Sequence, residues 1–283
     1  MPALLHHQVI LAKPTTTPFY VKKRADYYTE LQRHLFLDRA SIWDVDMGAN
    51  MWWGNGRAIW DAAGLVDPST GHHWQEKPFI REYVFDERKP TFAHMHGSWA
   101  STVRIKSHPE WKRDYIGVPD FPTSKRSQHP GNFVRRDVLF PPDWSPESPV
   151  DVSFANDARL VGWTAASTAM APGMPWYLEV GMRRPLVDPM AFRMFAVLTD
   201  GTHTHSWELP PAYDWLEVED WTSDQVFVGR YKLPVPDDLP QGRYTLGFAV
   251  VDASGAFAPV AGFQADGVDG ANDVEADEVA PMA

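Results

Sequence analysis

The chain has 283 residues, 44 % of them apolar and 22 % charged, a globular composition with length enough for two cores. Its formal charge of −11 argues against nucleic acid as a partner, because phosphate binding depends on an excess of Lys and Arg. Cysteine is absent, which excludes disulfides, a thiolate nucleophile and any Cys-ligated zinc or iron–sulfur centre.

Residues 1–24 read as an N-terminal extension. A short apolar stretch at Val9–Ala12 has no basic region before it and ends at Lys13-Pro14, so it does not read as a signal peptide. For an exported chain, the export signal is expected upstream of Met1. No run of about 18 apolar residues occurs, so no transmembrane segment is expected.

Tyr27, Tyr28, Leu31, Leu35 and Phe36 recur at spacings of three and four, which predicts a helix over Ala25–Leu37. Ser41–Asp46 reads as a strand ending in acids and Gly48, after which Asn50–Trp53 leads into the turn Gly54-Asn55-Gly56. Ala58–Asp61 is a second strand. Phe79, Ile80, Tyr83 and Val84 fall on one side of a helix over Glu76–Arg88, stopped before Pro90, and Thr91–His94 is a third strand. Strands alternating with helices predict a small α/β domain over 25–118, with parallel strands.

Residues 119–152 are rich in Pro and read as a connector, although Phe133 and Val138-Leu139-Phe140 are too apolar for a free linker. Beyond them short strands follow one another at 160–163, 176–182, 192–199, 203–207, 226–233 and 243–252, separated by turns such as Pro172-Gly173 and Asp200-Gly201. In the last of these Tyr244, Leu246, Phe248 and Val250 share a face. Residues 153–263 are therefore expected to form an antiparallel β-sandwich or jelly roll, making the whole a two-domain α+β chain. The tail, 264–283, holds six acids and no aromatic residue and is expected to be disordered.

Several residues invite a functional reading. Asp44, Asp46, Asp61 and Asp67 stand at or just after strand ends, where open α/β sheets place ligands. Carboxylates there could orient sugar hydroxyls or hold a hard cation; alternatively they cap helices and tighten turns, as Asp67-Pro68 invites. Trp52 and Trp53 offer a stacking face for a sugar ring or for an apolar partner, or else they pack in the core. His72, His94 and His96 could hold a divalent metal, since an H-x-H on a strand projects both rings to one face; a third ligand, His72 or Asp67, would be needed. Otherwise no cofactor is expected. No G-x-S-x-G elbow, P-loop or H-E-x-x-H occurs, so no self-sufficient catalytic motif is present.

The run Ile42-Trp43-Asp44-Val45-Asp46-Met47-Gly48 is followed by Asp61, Gly64, Leu65 and Asp67 in an Asp-x-x-Gly-Leu-x-Asp pattern. Next come Glu87-Arg88-Lys89-Pro90-Thr91-Phe92 and Ala93-His94-Met95-His96-Gly97. This series resembles the region after the last membrane helix of bacterial GT-C-type glycosyltransferases, multi-spanning enzymes that use polyprenyl-phosphate sugars. The second half is similar to the β-sandwich that closes many of those chains, through Pro172-Gly173 before Trp176 and through Asp238, Leu239, Pro240, Gly242, Tyr244 and Leu246. The resemblance runs from about Tyr27 to Phe263. In that family the catalytic carboxylates sit in an early loop between membrane helices, and this chain has no such part. The resemblance thus implies a non-catalytic accessory module, periplasmic or otherwise extracytoplasmic, with a glycan or a membrane protein as its partner. Two other classes stay open: an enzyme, either a metal-assisted hydrolase on His72, His94, His96 and Asp67 or a carboxylate glycosidase, and a structural subunit of a membrane-attached complex.

Overall fold

A computed structural model describes residues 18–95, 101–119, 131–154, 158–167, 169–183, 192–210, 213, 215–216, 220–222, 224–252 and 274–275. The fold is mixed α+β and divides into two compact units, 1–135 and 136–283. Among the described residues no helix is long and apolar enough to cross a membrane.

In the first unit, α1 (Pro18–His34) opens on a Pro, whose missing N–H is no loss in a first turn. It buries Ala25, Tyr28 and Leu31 along one stripe, and Leu35 just past its end continues the stripe. The helix begins seven residues before the expected Ala25, in a polar segment where Lys22 pairs with Asp26 one turn on, at 2.6 Å. Strands β1 (Ser41–Asp44), β2 (Ala58–Asp61) and β3 (Phe92–His94) follow, then β4 (Tyr115–Val118) and β5 (Asn132–Arg135). They form one sheet in the order β2-β1-β3-β5-β4. β1 is parallel to β2 and to β3 as expected, whereas β5 runs antiparallel to both β3 and β4.

Register rows sort the two faces of this sheet. Trp43, Ala93 and Phe133 stand side by side and join a core with Ile80, Val84, Phe85, Trp111 and Tyr115. Those partners come from α4 (Lys77–Arg81), which runs on as a π-helical turn over Glu82–Arg88, and from α5 (Pro109–Asp114) with the start of β4. The neighbouring rows face α1, whose Tyr28 ring lies 5.4 Å from that of Phe92 and 6.3 Å from that of His94. Lys89 ends the π turn in the left-handed conformation, directly before Pro90, so the stop expected there is observed.

Between β1 and β2 the backbone forms α2 (Gly48–Trp53), a helix not expected in the stretch that leads into the Gly-Asn-Gly turn. Between β2 and α4 lies α3 (Pro68–His73), absent from the sequence reading and capped by Asp67.

The stretch read as a connector contributes to both units. Phe133 lies in β5, and α6 (Arg136–Leu139) opens the second unit with Val138 and Leu139 buried. Its strands are β6 (Ser148–Ser153), β7 (Arg159–Ala165), β8 (Pro175–Arg183), β9 (Phe192–Thr199), β10 (Thr204–Leu209), β11 (Val226–Pro234), β12 (Arg243–Asp252) and β13 (Val274–Glu275). They make two four-stranded antiparallel sheets, ordered β10-β9-β12-β13 and β11-β8-β7-β6. Each buries alternate residues: Tyr244, Leu246, Phe248 and Val250 on β12, and Trp176, Leu178, Val180 and Met182 on β8. The Trp176 and Trp207 rings, one from each sheet, approach to 6.4 Å. Apart from Val274–Glu275, the tail expected to be disordered lies outside the described residues.

Candidate functional site: the strand ends of the α/β unit

The C-terminal ends of the parallel strands carry a polar row. Asp61 on β2, Asp44 on β1, His94 on β3 and Asn132 on β5 are register partners in turn, and all four are buried. Burying so many polar groups demands partners for them. Asp44 Oδ2 accepts from Asn50 Nδ2 at 2.7 Å, and its Oδ1 accepts the Asp46 N–H at 2.9 Å. Asn50 Oδ1 in turn accepts from Arg57 Nη1 at 2.7 Å, so one amide links a buried carboxylate to a buried guanidinium. The bond to Asp44 also explains α2: Asn50 is held over the end of β1, and the chain coils there instead of extending.

Arg57 reaches α1 through Thr29 Oγ1 at 3.2 Å and lies over the Tyr28 ring at 5.8 Å. Burial pushes its guanidinium below the usual range, while Tyr28 and Asp44 work in the opposite sense. The Tyr28 phenol is raised well above its ordinary value, chiefly by burial and further by Tyr27 and Asp44. It stays protonated and donates to Asn132 Oδ1 at 2.7 Å. His94 Nδ1 meets the same oxygen at 2.7 Å; an amide oxygen only accepts, so the ring carries its proton on Nδ1.

The predicted acids divide by role. Asp61 Oδ1 and Oδ2 accept the N–H groups of Ala63 and Val66, at 2.9 and 2.7 Å, and so shape the loop after β2. Asp67 caps α3 by accepting from the Ser69 N–H at 3.0 Å, and it also accepts from the Tyr83 hydroxyl of the π turn. Asp46 is exposed and paired with Arg24 at 2.8 Å. His72 stands exposed on α3, its ring 6.4 Å from that of His73, whereas His94 is built into the buried row; His96 lies outside the described residues. Among the described residues no group of three or more His, Cys, Asp or Glu converges in a way that could hold a metal ion.

Trp52 is 80 % exposed and Met51 beside it is also exposed, while Trp53 is half-buried. On a helix the two Trp side chains are turned about 100° from each other, so one can project while the other packs. From the next loop Leu65, 79 % exposed, and Val66 project as well. Asn50, Arg57, Tyr28 and Asn132 were missed by sequence reading. Arg57, directly after the Gly-Asn-Gly turn, and Asn50, two residues before Trp52, stood beside flagged motifs, and Tyr28 was read only as part of the helix stripe; Asn132 lies 38 residues from His94, in the stretch read as connector.

Fold and site together define an α+β chain whose α/β unit carries a buried polar row beneath an exposed apolar rim. No protein-family model matches the chain, and no curated protein matches it either.

Proposed function

We propose that the chain is a non-catalytic interaction module of an extracytoplasmic, membrane-attached glycan assembly. The α/β unit serves as its docking platform, and the second unit, read as a sandwich of jelly-roll type, as its glycan-binding or assembly element. The observation that carries this reading is the exposed set Met51, Trp52, Leu65 and Val66 beside strand ends whose acids are engaged in bonds of the fold. Large apolar side chains gathered on a surface mark recognition, and a projecting Trp is the commonest kind of anchor. The extracytoplasmic setting and the glycan rest on the family resemblance.

The test is an array of envelope saccharides probed with the full chain, alongside purification of its bound proteins from the native envelope. Binding to a defined saccharide or stoichiometric partner, lost in Trp52→Ala while the urea midpoint is kept, is the expected result. No binding by either route would overturn the proposal. The rival reading, a metal-assisted hydrolase, requires Asp67 to leave its cap, whereas His94 can keep its Nδ1 bond to Asn132 and ligate through Nε2; stoichiometric zinc in the purified protein would favour it.

A further inference from the structure

The five asparagines of the chain stand before Met51, Gly56, Phe133, Asp157 and Asp273, so Asn55-Gly56 is its one Asn-Gly pair. The fold sets that pair at the tip of a turn. Asn55 and Gly56 have φ of +51° and +75°, and the Arg57 N–H donates to the Gly54 carbonyl at 3.1 Å, which makes a type I′ turn. Both central positions call for φ above zero, and Asn followed by Gly meets that demand most easily. The turn joins the end of α2 to the start of β2.

Its two ends are held and its tip is open. Gly54 is buried and donates its N–H to the Asn50 carbonyl at 2.9 Å, so closely that a Cβ on Gly54 would lie 2.1 Å from that oxygen. Arg57 is buried at the other end, its guanidinium bonded to Asn50 Oδ1 and Thr29 Oγ1. Asn55 and Gly56 between them are both exposed. Apart from its chain neighbours, no atom lies within 4 Å of where a Gly56 Cβ would stand, and among the described residues none bonds to the Asn55 carboxamide or to the Gly56 N–H. The Asn50 carboxamide, by contrast, is buried and bonded through both its nitrogen and its oxygen.

We infer that Asn55 is a site of spontaneous backbone modification, which converts it to isoaspartate and thereby loosens the seat of Arg57. The Gly56 nitrogen loses its proton to solvent base and attacks Cγ of the Asn55 carboxamide. The N–Cγ bond forms, the Cγ–Nδ2 bond breaks, and the amide group leaves as ammonia after taking a proton from water. Water then opens the cyclic imide. Cleavage at Cγ gives aspartate, whereas cleavage at the main-chain carbonyl carbon leaves the chain running through Cβ and Cγ, which is isoaspartate. Gly56, lacking a Cβ, leaves its nitrogen open to this attack. Ring closure has to rotate the Asn55 backbone, and that breaks the bond from Arg57 to Gly54. Losing one such bond slows closure about two- to twelve-fold against a free peptide, whereas a turn that opened only with the whole fold would slow it about a thousand-fold or more. Isoaspartate adds a main-chain carbon to the turn, so Arg57 cannot keep both its bond to Gly54 and its guanidinium bonds to Asn50 and Thr29. The chemistry is independent of what the chain binds.

The test is incubation of the full chain beside the free peptide of residues 52–58, at one neutral pH and temperature, followed by peptide mass mapping and enzymatic methylation of isoaspartate. Asn55 is expected to convert no more than about twelve-fold more slowly than the peptide, ahead of every other asparagine. Asn55→Gln, whose longer side chain closes an imide ring far more slowly, should stay intact at that position. A slower rate than this, or earlier conversion of another asparagine, overturns the inference. The converted chain, separated by its added negative charge, should then show a lower urea midpoint than Asn55→Asp, which carries the same charge on an unaltered backbone. Equal midpoints would mean that Arg57 keeps its seat, and would overturn that half of the inference.

Discussion

At the scale of single residues, the buried carboxylates are structural joints. Asp61 uses both oxygens to accept backbone N–H groups, so Asp61→Asn replaces one acceptor by a donor aimed at another donor. A buried polar group left unsatisfied costs about 1–3 kcal/mol, and urea denaturation of that variant should register a loss of this size. A different carboxylate contributes to acid sensitivity. Asp200 is lowered from 3.8 to about 2, first by the backbone N–H of His203, then by the His203 side chain and the Thr202 N–H. A depressed carboxyl favours the fold above its unfolded value and loses that favour as pH falls through the folded value. The stabilisation is therefore complete above pH 3.8 and disappears toward pH 2. Denaturation curves across that window should show a shallower pH dependence in Asp200→Asn than in the natural chain; identical slopes would contradict the assignment.

Elements here are joined by close backbone approaches as much as by side chains. Gly64 has φ +73°, and a Cβ on it would lie 2.4 Å from the Cα of Gly71 in α3. The left-handed backbone alone costs a non-Gly residue about 1–3 kcal/mol, and the overlap forces the β2–α3 loop away from the helix. Gly64→Ala should therefore lower the urea midpoint and, because Leu65 and Val66 follow directly, weaken binding by the apolar rim. The π turn is tied into the same region, since Tyr83 donates to the Asp67 cap and the Arg88 guanidinium lies 4.5 Å from the Trp60 ring centre. A wide helical turn thus sets the position of a loop that reaches the surface.

For the molecule as a whole, each unit has its own sheets and its own buried apolar residues. Residues 136–283 expressed alone should give a cooperative thermal transition with a β-type circular dichroism spectrum, and the full chain should unfold in two steps. A single transition in the full chain, with no folded fragment, would show that the units depend on each other. The division falls at Arg135, inside the stretch that composition marks as a connector, because composition records prolines but not the pairing of Asn132–Arg135 with β3 and β4.

Local pattern alone determined much of this protein. The 3.6-residue stripe of α1, the short β1 and β2 with their acid tips, β3, and the strands at 192–199 and 243–252 are all written in spacing that needs only near neighbours to be read. Asp67 as a helix cap and the stop at Pro90 were legible for the same reason. Tertiary structure alone decided what each polar residue meets. Asn132 joins His94 and Tyr28 across 38 and 104 residues, and Asn50 coils α2 because a buried carboxylate from the preceding strand needs a donor. A side chain's partners across a sheet are fixed by register, and register is a property of the folded sheet that no single segment carries.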